Sequence, residues 1–86
     1  MIFDMYAIKD ELNGYMPPLP IASKEMAERY FKDQMIGNPT MANSPKDFSI
    51  WKIGTYDTEA GNFISVPNGN ELIQRGENYA NAENSI

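Results

Sequence analysis

The chain has 86 residues, enough for one domain, and a domain this small withdraws only roughly 60–65% of its unfolded surface from water. It contains no cysteine and no histidine, which excludes disulfides, thiol nucleophiles and every catalytic triad built on an imidazole; a non-enzymatic protein without metal or cofactor is therefore expected. Seven basic residues against twelve acidic ones give a net charge of −5, which repels a phosphate backbone at long range and disfavours a generic nucleic-acid coat.

Ile2 to Ile8 are β-branched and aromatic in a run too short for a stable helix, so the segment reads as a strand. Asp10–Gly14 supplies a turn, with Asn13-Gly14 as its hairpin signal. A second extended segment passes through Tyr15 and Met16 into Pro17-Pro18-Leu19-Pro20, where the prolines permit only an edge strand or a polyproline-like exit. Ser23 offers an N-cap to a helix over 24–36. Its apolar residues at 26, 27, 30, 31, 35 and 36 form one stripe, and Gly37 is placed to end it in a left-handed conformation. Glu25 with Arg29 and Glu28 with Lys32 stand at i,i+4 on the other side.

Residues 38–45 read as a polar connection and Phe48 to Tyr56 as the central strand. Asp57 opens a turn that Gly61 closes with positive φ, returning the chain as a strand over 62–66; the turn lacks the alternating ligands of a calcium loop. Glu71 to Arg75 reads as a short ordered epilogue, at most a helical turn. From Glu77 onward the composition predicts a disordered acidic tail, so the expected organisation is one domain over 1–76 and a tail over 77–86. The fold class is α+β: a small antiparallel sheet in the order ββαββ with one helix on a face, or that sheet curled into a partial barrel. No segment has the roughly 20 apolar residues that span a bilayer, so no membrane partner is expected.

Alternation gives a helix-backed strand one apolar face, yet the first strand is apolar on both. Ile2, Tyr6 and Ile8 point one way with Asp4, and Phe3, Met5 and Ala7 the other with Lys9. The central strand repeats this, with Phe48, Ile50 and Tyr56 against Trp51 and Ile53. One helix covers one face. The second is left to strand curling with the Pro-rich segment laid across it, to a second copy in a homodimer, or to nucleic acid. For the last, Trp51, Tyr6 and Tyr56 near Lys9 and Lys52 are the right residue types, because bases stack on aromatic rings while lysines hold phosphates. Arg29 on the helix is a further candidate contact, with a surface ion pair as the plainer reading.

The string Tyr15-Met16-Pro17-Pro18, the helix with Ala27, Arg29 and Phe31, and above all Pro45 to Gly61 resemble the small nonstructural protein of gokushoviruses, single-stranded DNA phages of the Microviridae. The likeness runs over about residues 2–72. It implies a phage accessory protein of the host bacterial cytoplasm, absent from the mature capsid, that binds single-stranded DNA or assists viral DNA synthesis or packaging. The alternative is a protein-interaction module, a homodimer docking on a phage or host replication protein. The resemblance carries no catalytic signature; on it, Gly54 is expected at a close backbone approach or bulge and Gly61 at the hairpin turn.

Overall fold

A computed structural model describes residues 1–79. Six strands form one antiparallel sheet: β1 (Ile2–Asp10), β2 (Gly14–Tyr15), β3 (Leu19–Pro20), β4 (Phe48–Asp57), β5 (Asn62–Ser65) and β6 (Glu71–Arg75). The long strands β1 and β4 pair along their length at the centre. β2 and β3 share the outer side of β1, and β5 and β6 share the outer side of β4. The sheet stays open, so the α+β expectation holds and the partial barrel does not form. Glu71–Arg75 is a strand rather than a helical turn, because its backbone pairs with Ser49–Lys52.

Helix α1 (Lys24–Gly37) packs on one face, and its start follows from sequence: the Ser23 hydroxyl accepts the Met26 N–H at 3.2 Å. Its end differs from expectation. Gly37 is helical, not left-handed, and the break falls at Asn38, held extended because the pyrrolidine of Pro39 excludes the helical region for the residue before it. Asn38 then caps a second short helix, α2 (Pro39–Asn43), by accepting the Thr40 N–H at 3.0 Å. The predicted polar connection therefore carries its own helical turn, followed by a 3₁₀ turn over Pro45–Asp47 that feeds β4. Only Ala27, Phe31 and Met35 of the apolar stripe are buried, with Met26 and Ile36 exposed, so the stripe is narrower than its spacing suggested. The i,i+4 pairs on the outer side do not close: the ion pairs among the described residues are Lys9–Glu11, Lys52–Asp4 and the amino terminus with Glu59.

The core lies between α1 and the sheet. Phe31 and Ala27 are fully buried there with Ile50, Tyr6, Ile8, Phe48, Met35 and Met41. The Pro-rich segment pairs at the edge of β1 through Leu19 and Pro20, and Met16, Pro17 and Ile21 line the same side of the sheet as Tyr6 and Tyr30. It closes the core and leaves the second face uncovered, contrary to the reading that laid it across that face. The predicted tail lies outside the described residues from residue 80. Its first residues, 77–79, form a helical turn that sets Tyr79 edge-on against Phe31, ring centroids 5.8 Å apart.

Candidate nucleic-acid interface

Each residue of the open face is positioned by strand register. Antiparallel partners directly opposite one another point to the same side, so rows across the sheet can be read from the pairing. One row is Tyr15, Lys9, Ser49 and Arg75; the next is Ala7, Trp51 and Leu72. A third is Met5, Gly54 and Ser65, and the last is Phe3, Tyr56 and Phe63. At ~3.4 Å per residue along a strand, these rows span about 20 Å, with about 14 Å separating the Trp51 row from the Tyr56 row.

A bulge decides the composition of this face. Met5 pairs with Gly54 while Tyr6 pairs with Lys52, so Ile53 is left without a partner on β1. One extra residue reverses the alternation beyond it and moves Tyr56 to the side of Trp51, opposite to the side assigned by counting along the strand. Gly54 is required beside the bulge: a Cβ there would collide with the Ile64 carbonyl oxygen and lie 2.8 Å from the Phe63 ring. The ring of Phe63 thus lies against the sheet where Gly54 has no side chain.

At one end the face holds a compact aromatic and cationic group. Lys9 Nζ stands 5.5 Å from the centroid of Tyr15 and 5.9 Å from that of Trp51, and the two rings meet edge to face at 6.4 Å. The Trp51 indole N–H donates to the Ser49 hydroxyl at 2.8 Å, which fixes the ring and leaves no polar atom of it unpaired. Tyr15 is 44% exposed, and at the other end Phe63 is 44% and Tyr56 36% exposed. Lys9 also approaches Glu11 at 3.8 Å, a solvent-exposed pair at the rim that competes weakly for the ammonium.

Charge is segregated across the sheet. The strands contain the acids Asp4, Asp10, Asp57 and Glu71 and the bases Lys9, Lys52 and Arg75. By register all four acids fall on the helix side, with Lys52, whose ammonium lies 3.4 Å from Asp4. Lys9 and Arg75 stand on the open face, where the strands place no carboxylate.

Of the six residues singled out from sequence, the structure brings Lys9, Trp51 and Tyr56 onto one surface. Tyr6 is 3% exposed in the core, with no ring face open to a ligand, because even-numbered positions of β1 turn toward α1. Burial, and then the Asp4, Glu71 and Glu25 carboxylates, push its phenol above the ordinary value. Lys52 is on the helix side, and Arg29 lies on α1 beside Glu25, Glu28, Lys32, Asp33 and Tyr79. Sequence reasoning missed Tyr15, Phe63 and Arg75. The turn over Asp10–Gly14 forms as expected, with Glu11–Asn13 as its three-residue loop and Gly14 at φ +90°; pairing outward across it sets Tyr15 opposite Lys9, and that count was the available signal.

Among the described residues no cluster of carboxylates is arranged to hold a metal, and no helix is long and apolar enough to cross a membrane. Compared with models of protein families, residues 3–79 match the one described as Phage ORF5 protein. No curated protein and no solved structure matches the chain.

Proposed function

The chain belongs to the Phage ORF5 protein family and is a phage protein, and from that premise we propose that it is a non-enzymatic accessory protein binding single-stranded DNA on its open sheet face. The observation that supports this most directly is the segregation of charge. A chain with net charge −5 presents one face with two bases, no strand carboxylate and exposed aromatic rings. Single-stranded nucleic acid asks for this combination, since unpaired bases stack on aromatic side chains at about 1–3 kcal/mol each while cations neutralise the adjacent phosphates. In this reading a base stacks against Trp51 and Tyr15, and Lys9 leaves the ring faces for a phosphate. Arg75, in the same row, holds the next one. The likeness to the gokushovirus nonstructural protein agrees with such a role in viral DNA synthesis or packaging, in the cytoplasm of the host bacterium.

The test uses Trp51, the one tryptophan of the chain. Titrating the protein with an oligothymidylate at low salt is expected to quench and shift its emission to saturation, while a Trp51→Phe variant retains binding in an anisotropy assay with labelled oligonucleotide. Absence of both quenching and anisotropy change at low salt sinks the proposal.

A further inference from the structure

We infer that two copies of the chain associate by antiparallel pairing of β5 with β5, joining their open faces into one continuous surface. The inference rests on the sheet edge and not on DNA binding, so the two fail separately.

β5 is a terminal strand that shares the outer side of β4 with β6, and all four of its residues are exposed, Ile64 by 60%. The direction of its free backbone groups follows from the neighbouring ladder. Val66 N–H donates to Ile53 O, and across β4 Thr58 N–H donates to Met1 O. In the alternation these bonds set, Asn62 and Ile64 turn their backbone groups toward β4, while Phe63 and Ser65 turn theirs outward. Edge strands are ordinarily blunted by charge, proline or a bulge. Asn62-Phe63-Ile64-Ser65 has none of these.

The opposite edge differs. β2 has two residues, and β3 ends on Pro20 after Pro17 and Pro18, so that side offers little to a foreign strand. On the same side as β5, strand β6 is blunted by the charges of Glu71 and Arg75 and by the bulge at Ile73. With one unblunted edge strand per molecule among the described residues, β5 meets only another β5, and the association closes about a two-fold axis instead of propagating. Setting Ile64 opposite Ile64 of the second copy places Phe63 opposite Ser65 in both directions, which satisfies every outward amide and carbonyl of the two residues. No charge opposes like charge, because the strand has none and the antiparallel arrangement carries the acidic Asp57–Glu59 turns to opposite ends. The axis runs perpendicular to the sheet, so both aromatic faces lie on the same side. Tyr56 and Phe63 of each copy then form the centre, and the groups around Lys9 and Trp51 form the two ends.

Sedimentation equilibrium of the full chain without DNA, from micromolar to near-millimolar concentration, tests this. The wild-type mass is expected to rise toward twice that of the chain. Ile64→Lys, which opposes two ammonium groups at the axis, and Ser65→Pro, which removes an outward amide, are expected to weaken association at least tenfold with unchanged circular dichroism. A wild type of single-chain mass at every concentration overturns the inference, as does undiminished association of folded Ile64→Lys. Should Ser65→Pro misfold, Ile64→Lys decides alone, since its site is exposed and its backbone bonds are unaffected.

Discussion

If Lys9 and Arg75 are the phosphate contacts of the open face, the salt dependence of oligonucleotide binding is fixed by their number. For single strands the slope of log K against log salt is about −0.7 per neutralised phosphate, which gives about −1.4 for two contacts. Raising salt from about 50 to about 200 mM then lowers affinity about 7-fold, and about 2.6-fold in either Lys9→Met or Arg75→Met, whose slopes fall to about −0.7. Diffuse use of all seven basic residues predicts instead a slope near −4.9, a loss of about 900-fold over the same range. Fluorescence anisotropy of a labelled oligothymidylate at four or more salt concentrations separates these cases. A wild-type slope steeper than about −3, or slopes unchanged in both variants, refutes the assignment of phosphates to this face. Lys52→Met supplies the control: its ammonium is engaged by Asp4 at 3.4 Å on the helix side, and its slope should equal that of the wild type.

Two further predictions concern the fold that holds the face in place. Phe31 is 0% exposed at the centre of the core, and Phe31→Ala should cost about 3–5 kcal/mol; against about 4–13 kcal/mol for a chain of this length, the urea midpoint should fall by about a quarter or more, and a change below about 1 kcal/mol would contradict the core described. Tyr6 has a raised phenol pKa from burial and then from Asp4, Glu71 and Glu25. Below the unfolded value of 10.0 both states keep the proton, and above it the unfolded chain loses the proton first, so stability should decline as pH rises from there through the folded pKa. Urea midpoints at about pH 8 and about pH 11 should show a smaller decline in Tyr6→Phe than in the wild type, Tyr79 contributing to what remains; an equal decline argues against burial of Tyr6.

Features governed by local chemistry were legible in the sequence, and features governed by register were not. Ser23 caps α1, Asp57 accepts the Glu59 N–H, and Gly61 adopts φ +72°; each is decided within a few residues of chain. The two-sided apolar pattern of β1 also survives, because that strand keeps its alternation. The side occupied by Tyr56 was illegible, since the bulge at Ile53 exists only in the pairing of β4 with β1. Strand β6 was hidden for the same reason: five residues carry too few alternations to announce a strand, and the partner at Ser49–Lys52 is some 20 residues away. Of the candidate site, Lys9 and Trp51 were visible as residue types, while the row joining Tyr15, Lys9, Ser49 and Arg75 takes its members from four strands.

Net charge alone argued against a nucleic-acid partner, and the placement of the charges turns that argument round. In the proposed binding mode a phosphate above the open face touches Lys9 or Arg75 directly, whereas the carboxylates of Asp4, Asp10 and Glu71 lie behind the sheet. That separation is of order 10 Å, about one Debye length at 0.1 M salt, so their repulsion is largely screened where the contact attraction is not. The acidic side then acts as an orienting field rather than a barrier. On the proposed reading, a strand approaching from behind is repelled while one approaching the aromatic side is held, and wrapping of DNA around both sides of so small a domain is disfavoured. A protein with this distribution is suited to hold one single strand along one surface and to leave the other side of the molecule free of DNA.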